Sequence, residues 1–70
     1  MREHISNAVH AVRAKKGLTQ EELAAMVGVT RQTIISIEKG HYTPSVLLAL
    51  KLARAFRIPV EDLFHISYGK

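Results

Sequence analysis

The sequence of 70 residues predicts an all-α fold built from five short helices. Three observations predict it. Apolar residues recur three or four positions apart along most of the chain, Ser or Thr stands before three of these periodic segments, and glycine follows three of them. Because a chain of this length can bury only one small core, we expect residues 1–70 to form a single domain with a short tail at 65–70.

The first predicted helix runs from about Glu3 to Lys16. Gly17 follows where a helix end favours a left-handed residue without a Cβ atom. The apolar stripe of this helix consists of Ile5, Val9 and Val12.

The second predicted helix begins at Gln20 and ends before Gly28. Thr19 can accept the amide of Glu22 while the Glu22 side chain accepts the amide of Thr19, which is a reciprocal capping box. The buried face of this helix is predicted to contain Leu23, Ala24 and Val27.

The third predicted helix follows within two residues, since Thr30 is a second capping residue and Gly40 ends the segment. Ile34 and Ile37 stand three residues apart and define its buried side, with Val29 packed between the two helices. The outward positions are not needed for packing and are free to recognise a ligand; they are Arg31, Gln32, Ile35, Ser36 and Lys39.

Pro44 excludes helix at Thr43, and Ser45 caps a fourth predicted helix that extends to about Phe56. Its buried face is predicted to contain Leu48, Ala49, Leu52, Ala53 and Phe56, with Leu47 off that face. Arg57 then takes a left-handed cap position, which costs about 1 kcal/mol for a residue with a Cβ atom.

The segment from Ile58 to Phe64 predicts a short fifth helix, with Pro59 at its entrance and two acidic residues in its first turn. The tail, residues 65–70, alternates polar and apolar side chains. Two alternatives stay open for it, namely a strand paired with a second copy of the chain and a frayed end.

Composition excludes several classes of protein. The net charge of +4 favours a polyanionic partner, and the absence of cysteine excludes disulfides and cysteine-based zinc sites. The longest apolar run, Val46 to Leu50, is far too short to span a bilayer, and no signal peptide is visible, so we expect a cytoplasmic protein. Four histidines show no catalytic or metal-binding spacing, so we expect no enzyme activity, metal or cofactor.

Several blocks of the chain resemble the helix-turn-helix of the phage Cro and repressor (XRE-like) family. Gln20, Ala24, Gly28, Ile34 and Ile37 stand at that family's spacing. The resemblance extends over nearly the whole chain, through the blocks Lys16–Ala24, Arg31–Ile34, Ile37–Gly40, Thr43–Ser45 and Glu61–Phe64. It implies a five-helix, lambda-repressor-like domain that binds double-stranded DNA and regulates transcription.

In that fold the recognition helix lies in the major groove, with residues near its N-terminus at the base edges. The base contacts we predict are Arg31, Gln32, Ile35 and Ser36. Arginine pairs with guanine and glutamine with adenine, although a phosphate contact stays an alternative for Arg31. The phosphate contacts we predict are Gln20, Thr30, Thr33, Lys39, His41 and Tyr42. A plain helix-terminal cation stays an alternative for Lys39, and a solvated loop for His41 and Tyr42.

The resemblance also implies a buried ion pair between Arg13 and Glu38, against the alternative of two solvated surface charges. It further implies a homodimer on a two-fold operator. The predicted dimer contacts are Leu47, Leu63, Phe64, Ile66 and Tyr68. A repressor is the function we expect. The alternative is an antitoxin or partner-regulated module that uses the same fold to bind another protein, through exposed Ile35 and Leu47 and the apolar tail.

Overall fold

The computed structural model describes residues 2–69, in which five helices stand between two terminal strands. Met1 and Lys70, the ends of the predicted domain, lie outside the described residues. The elements in chain order are β1 (Arg2–Asn7), α1 (Val9–Lys15), α2 (Gln20–Val27), α3 (Arg31–Glu38), α4 (Val46–Phe56), α5 (Val60–Leu63) and β2 (Phe64–Gly69).

The helices enclose one core, and its largest fully buried side chain is Phe56. The apolar periodicity predicted most of this core correctly, because residues three and four apart on a helix share one face. The predicted residues that are buried are Val9, Leu23, Ala24, Val27, Ile34, Ile37, Leu48, Leu52, Ala53 and Phe56. Ala49 is half-buried, and Val12 and Val29 pack against the core while remaining partly exposed.

Hydroxyl side chains begin three of the helices, as predicted. At α2, Thr19 Oγ1 accepts the Glu22 amide at 3.0 Å, and Glu22 Oε1 accepts the Thr19 amide at 2.8 Å. Thr30 caps α3 by accepting the Thr33 amide, and Ser45 caps α4 by accepting the amide of Leu48. Each cap satisfies an amide that has no partner within its own helix.

Left-handed residues end α2 and α4. Gly28 has φ 75° and lets the chain turn from α2 into α3 at no steric cost. Arg57 has φ 61° at the end of α4 and is the single residue other than glycine with positive φ among residues 2–69. The arginine therefore carries the conformational penalty predicted for it.

The predicted first helix is wrong over its N-terminal half, because residues 2–7 form a strand and α1 begins at Val9. Asn7, the last residue of β1, marks the boundary between this strand and α1. Its Oδ1 accepts the Val9 amide at 3.1 Å, and its Nδ2 donates to the Ile37 carbonyl at 2.9 Å. Asparagine side chains favour turns and helix starts over helix interiors, because they bond to the nearby backbone. Ile5 therefore lies on the strand, 40% exposed, and not on a helix stripe.

The tail forms a strand, but it pairs with its own chain and not with a second copy. β2 runs antiparallel to β1, in a register that places Ile5 opposite Ile66 and Asn7 opposite Phe64. We call β1 and β2 together the terminal ribbon. The fold is therefore mostly helical with one two-stranded sheet, which corrects the all-α prediction and rejects a frayed end for residues 65–69.

The two faces of the terminal ribbon differ in polarity, since side chains alternate along each strand. One face carries three exposed apolar side chains, Ile5, Ile66 and Tyr68, with exposed Glu3 opposite Tyr68 at its edge. The opposite face is polar and carries His4, Ser6, His65 and Ser67. On the polar face, Ser67 Oγ donates to Ser6 Oγ at 2.8 Å.

Leu63, one of the predicted dimer contacts, is fully buried in this chain's own core. Its carbonyl accepts the Ala8 amide at 2.9 Å, where the ribbon joins the helices. Because the side chain is committed to internal packing, it is removed from the predicted contact surface. Phe64, the next residue, is half-buried against the same core.

Candidate nucleic-acid interface

The helix α3 presents a polar face to solvent. Ile34 and Ile37 are fully buried and set the rotation of the helix against the core. Arg31 and Gln32 are exposed in the first turn of α3, while Ile35 and Ser36 are half-buried in the second. The first turn of α3 therefore offers one guanidinium and one amide, the two groups best suited to paired hydrogen bonds with a base edge.

A groove on one side of α3 brings together six of the residues predicted to contact DNA. They are Thr30, Gln32, Thr33, Ser36, His41 and Tyr42. The loop after α3 supplies the last two, and Tyr42 is 46% exposed. Candidate base contacts and candidate phosphate contacts thus line one surface.

A second groove, on the other side of α3, joins Arg31 to the start of α2. Thr19, Gln20 and Glu21 line it together with Arg31. Ile35 and Lys39 line neither groove. The Glu21 carboxylate stabilises the start of α2 through the helix dipole but repels an approaching phosphate, so an anion would have to bind on the Gln20 side.

Two helices direct their N-termini toward these grooves. The side chains of Thr19 and Thr30 accept the amide of the third residue of α2 and of α3. The amides of the first two residues of each helix have no partner within the helix; they belong to Gln20 and Glu21 in α2 and to Arg31 and Gln32 in α3. Such amides and the positive ends of helix dipoles bind anions. Thr30 Oγ1 already accepts the Thr33 amide and lies 3.0 Å from Thr33 Oγ1.

The carboxylate of Glu38, at the end of α3, holds the interface to the rest of the domain. Arg13 Nε donates to Glu38 Oε2 at 2.6 Å, and Arg13 Nη1 donates to the Leu18 carbonyl at 2.8 Å. The Arg13 and Glu38 side chains are only 13% and 6% exposed, so this ion pair is not a solvated surface pair. It locks α1 to α3.

Gln20 belongs to the same cluster, because its Nε2 donates to Glu38 Oε1 at 3.0 Å. An amide nitrogen has two hydrogens, so this bond orients the side chain and leaves one N–H for another acceptor. The predicted phosphate contact is thus held in place by a buried carboxylate.

Burial of Glu38 acts to raise the pKa of its carboxyl group, but hydrogen bonds from Arg13 and Gln20 and the Arg13 charge outweigh that effect. The pKa of Glu38 is therefore lower than its ordinary value of 4.5. The carboxylate is ionised at neutral pH, as its role as an acceptor requires.

Two residues that hold α3 in place were not predicted from the sequence, namely His10 and Asn7. His10 Nδ1 lies 3.3 Å from Glu38 Oε1 and 3.1 Å from Arg13 Nη2, at the solvent side of the ion pair. The spacing of His10 and Arg13, three residues apart on one helix, was an available signal. Asn7, whose bond to the Ile37 carbonyl ties β1 to the end of α3, had no such signal, because its partner lies 30 residues away.

Within residues 2–69, no helix is long and apolar enough to cross a membrane. The same part of the chain contains no group of three or more histidine and acidic side chains placed to hold a metal ion.

Comparison with known sequences agrees with this geometry. The family model described as Helix-turn-helix matches residues 9–63. A Bacillus subtilis (strain 168) protein named as the uncharacterized HTH-type transcriptional regulator YgzD is 53% identical over 63 residues, which is 90% of this chain and 96% of that protein. The cryptic phage CTXphi transcriptional repressor RstR of Vibrio cholerae is 33% identical over 58 residues, which is 83% of this chain and 52% of RstR.

A solved structure shows the same arrangement of helices. The restriction-modification controller protein C.AhdI from Aeromonas hydrophila superimposes with a TM-score of 0.74 at 35% identity. The match covers 77% of this chain and 82% of that one.

Proposed function

The chain belongs to the helix-turn-helix family, and we propose that it is a DNA-binding transcriptional regulator that represses from a two-fold operator as a homodimer. The observation that carries the proposal is the polar first turn of α3, where Arg31 and Gln32 are exposed while Ile34 and Ile37 of the same helix are fully buried. This arrangement is what a recognition helix in the major groove requires.

Base recognition is assigned to the outer face of α3. Arg31 pairs with O6 and N7 of guanine and Gln32 with N6 and N7 of adenine, each discriminating against other bases by about 1–3 kcal/mol. Ile35 contacts a thymine methyl group, and Ser36 reaches a base through water.

Phosphate binding is assigned to both sides of α3. Gln20, held by Glu38, contacts the backbone on one side. Five residues on or beyond α3 act on the flanking strand, namely Thr30, Thr33, Lys39, His41 and Tyr42. Such contacts set the position of the helix without reading sequence.

The two-fold contact is assigned to the apolar face of the terminal ribbon. Ile66 and Tyr68 are each 60% exposed there, and Ile5 lies opposite Ile66. A two-stranded ribbon is marginal in water unless a further element covers it, and a second ribbon related by a two-fold axis would do so. Half-buried Phe64 borders this surface.

Repression is assigned as the direction of control, since a dimer bound at an operator that overlaps a promoter would block it. The similarity to RstR, which is named as a transcriptional repressor, supports this direction of control.

Selection from a randomised duplex library at near-physiological salt tests the proposal. We expect enrichment of an inverted repeat whose half-site centres lie about 10 base pairs apart, one helical turn. Enrichment of a single half-site would contradict the dimer, and enrichment of no sequence by the folded protein would contradict base recognition.

Two matched variants test the assigned contacts. Arg31→Ala should relax base preference at one position of each half-site, whereas Gln20→Ala should weaken all sites alike and reduce the salt dependence of binding by about one phosphate. If both variants keep the affinity and preference of the parent protein, the proposed orientation on DNA is wrong.

The second candidate is an antitoxin or partner-regulated module, and the exposure of Leu47 at 64% favours it. Arg31→Glu separates the two functions. It should abolish DNA binding in the proposed regulator and leave any protein association intact.

A further inference from the structure

A groove between the end of α2 and the outer side of α4 is separate from α3. Met26 and Ala55 line one half of it, and Leu47 and Val29 line the other. Lys51 lines both halves, so they are continuous. We call this surface the α2–α4 groove. Tyr42, at one end, is the single predicted DNA contact that lines it.

The α2–α4 groove exposes apolar surface. Met26 is 54% exposed and Leu47 is 64% exposed. Val46 and Leu50, which are near Leu47 on α4 but do not line the groove, are 77% and 50% exposed. Clustered exposed apolar side chains mark interaction sites more often than single ones do, and methionine adapts its shape to a partner.

The charges of the groove all have one sign. Lys51 and Arg54 line it, and no aspartate or glutamate does. Both ion pairs found among residues 2–69 use Glu38, so neither of these cations is neutralised within the described chain. A ligand that fits must bring carboxylates or phosphates as well as apolar groups.

Two other occupants fit less well. In a two-fold contact of groove against groove, the second copy would bring the same Lys51 and Arg54 and no carboxylate, so like charges would oppose the interface. A DNA backbone would pair with Lys51 and Arg54 but would leave Met26 and Leu47 uncovered. An amphipathic protein segment satisfies both the charges and the apolar floor.

We propose that the α2–α4 groove binds an acidic amphipathic helix of a partner protein. Large apolar side chains of that helix cover Met26 and Leu47, and its carboxylates pair with Lys51 and Arg54. Helix-in-groove recognition of this kind uses anchors three or four residues apart. The DNA-binding face of α3 stays free, so the partner would bind the protein on its operator.

A synthetic peptide tests the proposal. The probe has about fifteen residues, near the shortest length at which isolated helices form, with leucines four apart and glutamates between them. It is titrated into ¹⁵N-labelled protein, and chemical shifts are followed for every amide. We expect saturable shifts in α2 and α4, and weaker shifts with a scrambled peptide of the same composition.

Two variants test the groove residues, and a third serves as a control. Lys51→Glu should lower the affinity for the peptide by at least about tenfold, or about 1.4 kcal/mol. Lys15→Glu changes the net charge equally at an exposed site on α1 outside the groove, and should have little effect. Leu47→Ala should weaken binding without changing any charge.

Four results would overturn the proposal: absence of saturable shifts, equal losses of peptide affinity in Lys51→Glu and Lys15→Glu, shifts centred on α3, or no effect of Leu47→Ala.

DNA affinity and sedimentation are measured on the same variants. If Lys51→Glu weakens operator binding as much as Gln20→Ala does, the groove contacts the DNA backbone. If Lys51→Glu dissociates a dimer, the groove is occupied by a second copy of the chain. Either result would reject the partner helix, and neither would affect the assignment of base contacts to α3.

Discussion

Replacement of Arg13 by methionine tests the ion pair that joins α1 to α3. Methionine keeps an unbranched apolar stem and a similar helix propensity but removes the charge and the donors of the side chain. The buried Glu38 carboxylate would then keep Gln20 and His10 as neighbours, and the Leu18 carbonyl would lose the Arg13 donor.

The expected loss is large for a domain of this size. Removal of one partner of a buried ion pair costs about 3–5 kcal/mol, and we expect about 3 kcal/mol because Gln20 still donates to the carboxylate. A core this small supplies about 3–5 kcal/mol in total. Arg13→Met should therefore unfold at low denaturant concentration, with a urea midpoint lower by about 3 M for a slope near 1 kcal/mol per M.

The pH dependence has a definite sign. Because the pKa of Glu38 is lowered in the folded protein, its contribution is present above its ordinary pKa of 4.5 and is lost as the pH falls through the folded value. Without Arg13, burial raises the pKa of Glu38, so protonation of the carboxyl group removes the cost of its buried charge and reduces the loss of stability in the variant. The difference between the two proteins should be largest at pH 7 and should shrink toward pH 4.

Urea unfolding followed by circular dichroism at about 15 °C, where small domains are near maximum stability, measures these differences. Lys15→Met, an exposed cation on the same helix, is the matched control and should change stability little. Arg13→Met combined with Glu38→Met should be more stable than Arg13→Met alone, since no buried charge remains. A difference that is constant with pH, or a double variant whose losses simply add, would refute the role given to the buried charge.

Two other substitutions test the left-handed end of α4 and the side-chain bonds of Asn7 to the backbone. Arg57→Gly should raise stability by about 1 kcal/mol and the melting temperature by about 4–8 °C, because glycine adopts positive φ freely. Arg54→Gly, at a position with helical backbone in the last turn of α4, should instead lower stability, and equal effects would reject the conformational argument. Asn7→Ala should cost about 1–2 kcal/mol in thermal or urea unfolding, because the Val9 amide and the Ile37 carbonyl both lose a partner. Asn7→Asp keeps the acceptor for the Val9 amide and should lose less stability. If Asn7→Ala were as stable as the parent protein, these two bonds would contribute nothing to stability.

Local signals in the chain predicted the helix-turn-helix well. The Thr19 capping box, the Thr30 cap and Gly28 determine where α2 and α3 begin and end, because each acts within four residues of the backbone group that it satisfies. The buried Ile34 and Ile37 place Gln32 on the outer side of α3 through helical geometry, whereas Arg31 is exposed because it is the first residue of the helix.

The terminal ribbon was decided by contacts between the two ends of the chain. Residues 2–7 carry one apolar side chain, Ile5, which stands four residues before Val9 at a spacing that a helix would also accept. Their pairing with residues 64–69 depends on a partner about 60 residues away. Local periodicity contains no information about that partner. For the same reason the sequence left a strand and a frayed end open for the tail, and the strand alternative paired it with a second copy instead of with β1.

The sequence by itself therefore determined the helical core, the caps and the outward face of α3, since all of these follow from interactions between neighbours along the chain. Only the tertiary structure decided the ribbon, the burial of Leu63 and the bond from Gln20 to Glu38. Each of these joins residues distant in sequence, whose proximity depends on how the whole chain packs.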